Sequence, residues 1–518
     1  MSRPSAADPQ AVALAQRAAA LEARGEWREA IDAWSSAIER APDFLPAHVG
    51  LAQTHLRAGR PEDAARILER VTSRAPRIAA AWLALGVAHS MLGRHDRAVA
   101  AAARATAEGP DVAALHMGLG DVLRQAGELG RAEAAYRRAA ALAPEDADAL
   151  NKVAVIERAF GRFDAAEALL RRALANAPGH PYARVNLGTL ALERKRDQEG
   201  RAMLEAALAM PRLPVDARAE AADAIAMLDE HAALAPAIAA AAASGDPGPL
   251  EAALRARPAP TRRDDEVLAF FERAAARIAD EAPVESLFAT GVPRSAAWPA
   301  LVAHHNFRLG GSREAIRRSV DLVAGRTAAL DGRDADILRY AEVVRGADVA
   351  ARGRAMREAA DPVAREAWLR LLHALIVGHR PELAPGQFKL VNNIVHSQPQ
   401  VARTAPGRVA GTLRAWFAER EAVVPPGPWR AACLVLLMTE VHPFLDGNGR
   451  VLRYIANAEL AASGRFPTLR PGNSPAEFAP LLNEARRSGV VRPLLEWLAA
   501  GSRYAAELDR EWAAHEPR

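Results

Sequence analysis

Hydrophobic and polar positions follow a helical period along nearly the whole chain, and over the first two hundred residues that pattern itself repeats. Glycines stand at Gly25, Gly59, Gly93, Gly127 and Gly161, and alanines at Ala30, Ala64, Ala98, Ala132 and Ala166. Prolines at Pro42, Pro76, Pro110, Pro144 and Pro178 keep the same 34-residue spacing, as do the large or apolar residues Trp34, Leu68, Ala102, Tyr136 and Leu170. Such a unit reads as two antiparallel helices. Glycine turns the chain between them, alanine lets them approach closely, and proline ends the second helix and opens the next unit. A sixth, degenerate unit runs from Pro181 to about Pro211. Each unit can bury its faces only against its neighbours, so the stack is expected to form a solenoid with a concave groove. Arg57, Asp121, Arg124, Gln125, Asn151 and Arg158 fall at groove-facing positions of the first helices and offer a surface to a peptide or protein.

Beyond Pro211 the repeat fades. Gly245-Asp246-Pro247-Gly248 and Pro258-Ala259-Pro260 punctuate a helical stretch, so 213–285 is expected to be a helical linker. Helical periodicity returns at Ser312–Ala324, Asp334–Arg345 and Ala364–Leu375, then in the apolar run Ala431–Val441, and from Arg450 to about Ser463, where Gly464 is a stop signal. Alternation around Asn392-Asn393, in Gly386–Val395, predicts a β-hairpin. The expected organisation is a repeat array at 8–212, the linker, a second domain at 286–502 and a tail at 503–518. The fold class is all-α, with that small hairpin as the exception.

Composition narrows the function only a little. Half of the 518 residues are hydrophobic and the formal charge is +4, which argues for no nucleic-acid or membrane partner. Basic residues are nearly all arginine; the lysines are Lys152, Lys195 and Lys389. The single cysteine, Cys433, lies in an apolar helical run and excludes intrachain disulfides. No signal-peptide pattern opens the chain, and the most apolar tract, Leu234 to Ala243, is short for a bilayer span. A cytoplasmic protein is the expectation.

The candidate chemistry is concentrated in His442-Pro443-Phe444-Leu445-Asp446-Gly447-Asn448-Gly449-Arg450-Val451-Leu452-Arg453, between two predicted helices. Small residues that tolerate positive φ, placed at a helix start, form an anion-binding nest, and two arginines one turn apart add fixed positive charge. A histidine and a carboxylate beside it suggest phosphoryl or nucleotidyl chemistry. An EF-hand register would place Phe444 and Ile455 at ligand positions, and a P-loop would need a lysine that this region lacks.

This stretch resembles the signature of the Fic family, His-x-Phe-x-Asp/Glu-Gly-Asn-Gly-Arg-x-x-Arg, at all eight specified positions, and the 34-residue units resemble tetratricopeptide repeats. The first resemblance, over roughly 290–500, implies His442 as general base toward a target hydroxyl and Asp446 as holder of Mg²⁺ (or Mn²⁺). It also implies Gly447, Asn448, Gly449, Arg450 and Arg453 as the nucleotide phosphate cradle. Phe444 would anchor the loop. The hairpin, with Asn393 and Ile394, would be a flap that pins the target segment. The implied activity is transfer of AMP from ATP to a Ser, Thr or Tyr hydroxyl of a protein positioned by the repeats. Arg486 and Arg487 stand where the family often has an Asn and a Tyr near adenine, which leaves UTP or GTP open as donor. A scaffold with an inactive Fic domain and an AMP-removing enzyme are the other readings. Many family members silence themselves with a helix whose glutamate pairs with the second motif arginine. The nearest stretch here, Ala303 to Ser312, puts His305 at its hydroxyl position and Leu309 at the glutamate, so that pair is expected to be missing.

Overall fold

The computed structural model describes residues 8–278, 283–307, 312–345, 355–356, 358–359, 361–391, 403–469 and 475–515. The chain divides near Ala217 into two compact units. The first is a run of helix pairs, from Pro9–Ala23 with Trp27–Arg40 to Pro181–Glu193 with Asp197–Leu208. Each of the five periodic glycines has positive φ, between 69° and 83°, and so makes the turn inside its pair. The five periodic alanines are fully buried. Close approach is needed because large residues face small ones: a Cβ added to Gly120 would lie 2.4 Å from the Tyr136 ring.

The residues expected to line the groove are largely engaged with side chains of neighbouring units. Arg57 pairs with Glu22 at 2.5 Å, Asp121 with Lys152 at 2.6 Å and Arg158 with Glu193 at 2.9 Å. Gln125 accepts from Ser90, and Asn186 donates to Asn151 at 2.8 Å. Each contact joins the first helix of one unit to that of the next, so these side chains fasten the stack as rungs.

The second unit is also helical, and its helices share one core. Two expectations about its limits need correction. The stretch 213–285 is no linker: Val215–Ser244, Gly248–Arg255 and Asp265–Ile278 bury Leu234, Ile238, Leu254, Phe270 and Phe271 in the same core as the later helices. The prolines mark breaks between packed helices. Nor does a tail begin at 503, since the last helix runs Arg492–Ala514 and buries Ala505, Leu508 and Asp509. The apolar tract belongs to the 30-residue helix Val215–Ser244, which is long and apolar enough by length and composition to cross a membrane. Its Leu234, Ile238 and Ala241 are packed in the core of this unit.

Among the described residues there is no strand, only an isolated antiparallel bridge between Thr290 and Arg465. The expected hairpin therefore fails in its described half. Gly386, Gln387, Phe388 and Lys389 are buried in succession, with no alternation of faces. Their backbone groups bond elsewhere: Gly386 N to His373 Nδ1 at 2.9 Å, Lys389 N to the Pro443 carbonyl at 2.8 Å, and the Phe388 carbonyl to His231 Nε2 at 2.6 Å. Asn393 and Ile394 lie outside the described residues.

Candidate active site

The apolar helix Pro428–Val441 delivers the chain to the site and ends at His442, whose φ of 46° and ψ of 62° are left-handed. A histidine there bears a cost of about 1–2 kcal/mol, so the surroundings must enforce it. The residues that follow fold back on themselves. Phe444 N donates to Asn448 Oδ1 at 3.0 Å, and Asn448 Nδ2 donates to the Phe444 carbonyl at 2.8 Å, with a longer contact of 3.3 Å to His442 Nδ1. Asn448 thus closes the loop with its side chain.

Phe444 is fully buried and stacks on His373, ring centroids 3.8 Å apart and nearly parallel. The His373 ring is held at both nitrogens. Nδ1 accepts from Gly386 N, so Nε2 carries the hydrogen and donates to the Asp446 carbonyl at 3.0 Å. Burial pushes its pKa down to about 3, which keeps this donor–acceptor pattern fixed. Gly447 has φ of 80°, and a Cβ there would meet Val377 at 3.0 Å and His373 at 3.1 Å. Only glycine satisfies both limits. The helix Asn448–Ala462 starts at Gly447 with no side-chain cap, an arrangement suited to an external anion.

Charge surrounds that helix start. Asp446 Oδ1 accepts from Gly447 N at 2.5 Å and Oδ2 from Arg450 at 3.2 Å. Arg450 is buried, lies 3.9 Å from Asp336, and packs over the Phe307 ring. Asp336 in turn binds His379 and Arg380, each at 2.6 Å. Arg453 is engaged by Asn306, through Nε to Oδ1 and through Nη2 to the backbone carbonyl at 3.1 Å. His442 is held neutral, its pKa pushed down to about 3 by burial and then by the charges of Lys389 and Arg403, with Asp446 opposing.

The structure brings His442, Asp446, Gly447, Asn448, Gly449, Arg450 and Arg453 together in one loop and helix start, with Phe444 beneath. Leu309 lies outside the described residues. Of its neighbours, His305 is buried between the Leu301 carbonyl at 2.8 Å and Tyr504 at 3.0 Å, and Asn306 is the residue that reaches Arg453. Arg486 grips Glu440 at 2.9 and 2.5 Å. Sequence patterning carries no sign of His373, Lys389, Asp336 or Asn306 as site residues, because each arrives from a separate element.

A metal can be judged from the donors. No group of three His, Cys, Asp or Glu residues suited to a metal occurs among the described residues. One partly exposed carboxylate beside an anion site fits Mg²⁺, which keeps waters and takes phosphate oxygens in place of a protein cage.

Residues 364–460 match the Fic/DOC family, and overlapping segments from 15 to 219 match tetratricopeptide repeats. The chain carries a tetratricopeptide repeat array followed by a Fic/DOC domain. It is 24% identical over 128 residues to a protein adenylyltransferase Fic of Nematostella vectensis, covering 25% of this chain and 30% of that one. Against protein adenylyltransferase fic-1 of Caenorhabditis briggsae it is 23% identical over 210 residues, 37% of this chain and 41% of the relative. The chain thus spans less than half the length of these relatives. A thermophilic tetratricopeptide repeat protein of Thermus thermophilus aligns in structure over 35% of this chain and 99% of its own, at 25% identity and a TM-score of 0.33.

Proposed function

We propose that the second unit transfers a nucleoside monophosphate, AMP from ATP as the leading case, to a hydroxyl of a protein, with the repeat array selecting that protein. The observation that carries this reading is the uncapped helix start at Gly447: the loop closed by Asn448 sets that side chain 3.3 Å from His442, and Asp446 accepts from Arg450 in the first turn of the helix. His442 takes the proton of the attacking hydroxyl; burial keeps its imidazole in the neutral form that a base requires while lowering its basicity in the free protein. The hydroxyl oxygen forms a bond to the α-phosphorus, and the bond to the β-phosphate oxygen breaks, releasing pyrophosphate. Gly447, Asn448 and Gly449 would cradle the phosphates, and Arg450 and Arg453 would neutralise charge on the leaving group. Mg²⁺ held by Asp446 would add Lewis-acid neutralisation of the phosphates.

The neutral Asn306 on Arg453 supports an arginine that a nucleotide can recruit. An amide hydrogen bond is weaker than an arginine–carboxylate pair, and a phosphate offers charge in exchange. The test is incubation of the purified chain with ATP, UTP or GTP labelled at the α-phosphate, with Mg²⁺ or Mn²⁺. Label should enter this protein or an added target, ATP being the preferred donor. A scaffold would take up no label from any of the three.

A further inference from the structure

Lys389 brackets His442. Its backbone N–H donates to the Pro443 carbonyl at 2.8 Å, and its side-chain nitrogen, in a residue only 1% exposed, donates to the Val441 carbonyl at 3.2 Å. The two acceptors belong to the residues on either side of the left-handed histidine. Between them the adjustable torsions are φ and ψ of His442 and ψ of Pro443, since the proline ring fixes its own φ. We infer that Lys389 is the positioning residue of His442: by fastening both flanking carbonyls it enforces the left-handed turn and so fixes where the imidazole points.

The bracket hangs from a rigid base. The Phe388 ring lies under the buried Arg370 guanidinium, 3.6 Å from centroid to carbon, and 5.5 Å from the Phe444 ring. Its carbonyl accepts from His231, and Gln387 Nε2 donates to the His231 carbonyl at 2.9 Å. Arg370 is itself fully buried between Glu366 at 2.8 Å and Glu230 at 2.5 Å. Lys389 therefore transmits the stiffness of the core to the one backbone turn that aims the imidazole. Burial lowers the Lys389 pKa to about 7, with Arg403 adding and Asp264 opposing. Both the ammonium and the neutral amine donate to a carbonyl, so the bracket survives that titration. The backbone half of the bracket persists in any variant; only the Val441 bond depends on the side chain.

This inference rests on the reaction proposed above, and its test separates the two. Lys389→Met keeps the stem and removes the donor. For the folded full chain, the nucleotide Kd should stay within about twofold while kcat for transfer falls about 10–100-fold, the scale expected for a misplaced reacting group. The ring resonances of His442, assigned by comparison with His442→Ala, should shift in the same variant. If Lys389→Met does not fold, Lys389→Leu, which also lacks a donor, carries the same measurements. An unchanged kcat together with unmoved ring resonances overturns the inference, and so does a loss confined to nucleotide binding. Transfer that persists in His442→Ala overturns the proposed reaction instead, whatever Lys389→Met does.

Discussion

Among the described residues, the two units differ most in where they place their cations: buried arginines and a buried lysine occur in the second unit and none in the array. In the repeat array, pairs such as Arg57–Glu22 and Arg158–Glu193 sit at or near the surface and join one repeat to the next. In the Fic unit, Arg370 has no exposed surface and lies between Glu366 and Glu230, while Glu366 also takes Arg414 at 2.6 Å. Surface pairs are screened and contribute about 0–1 kcal/mol each, so the array stands on its alanine-lined helix contacts and uses its polar rungs for register. Buried pairs stabilise little relative to a packed apolar core, yet removing one partner leaves a charge stranded. The array should therefore tolerate substitution widely, and the Fic unit scarcely anywhere around its motif.

Four substitutions or conditions would break or sharpen this contrast. His442→Ala should lower transfer by about 10²–10⁴-fold, the range for loss of a general base, with nucleotide binding retained. Single-turnover rates against nucleotide Kd would check it, and an equal loss of both would assign His442 to binding. Arg370→Ala should destabilise the Fic unit by about 3–5 kcal/mol, since Glu366 and Glu230 lose their shared partner. Urea unfolding followed by hydrogen exchange in each unit would read this, and a change below about 1 kcal/mol would mean the network is wetter than its burial indicates.

Acid should come next in size. His231, His305 and His373 are held at about 4, 4 and 3 by burial, below their ordinary 6.5. Their contribution to stability is complete above pH 6.5 and is lost as pH falls toward 4, because the unfolded chain then binds protons that the folded one excludes. The loss is up to about 1.4 kcal/mol per pH unit for each fully suppressed histidine. The array buries His55 and His89, also lowered, but fewer in number. Protection against hydrogen exchange, relative to the intrinsic rate at each pH, should therefore fall more steeply in the Fic unit between pH 6.5 and 5. The smallest effect belongs to Arg57→Ala, expected to cost the array about 1 kcal/mol or less by thermal unfolding. A loss of several kcal/mol would make the rungs structural supports in their own right.

How much of this was legible from the chain follows from distance along it. The array was readable because each repeat restates the same local rules: glycine at the turn, alanine at the contact, proline between units. The motif was readable because its loop closes on itself, Phe444 to Asn448, within five residues. The supports were not, because they converge from far apart: Glu230 on Arg370, His231 on Phe388, Asn306 on Arg453. The segment Gly386–Val395 suggested a hairpin through alternation about Asn392-Asn393, whereas Gly386, Gln387, Phe388 and Lys389 are buried in succession. The breaks at Gly245–Gly248 and Pro258–Pro260 suggested a linker, whereas helices on either side of Pro247 bury leucines in one core. No periodicity reports which loop a buried arginine will hold.

The most direct test of the central claim is the fate of the two ends of the nucleotide. The folded chain would be incubated with Mg²⁺ and ATP labelled either at the α- or at the γ-phosphate, alongside His442→Ala. The α-label should become covalently attached to protein, the γ-label should leave as pyrophosphate, and His442→Ala should retain neither. Protein labelled from the γ-phosphate, or α-labelling that survives His442→Ala, would contradict the claim.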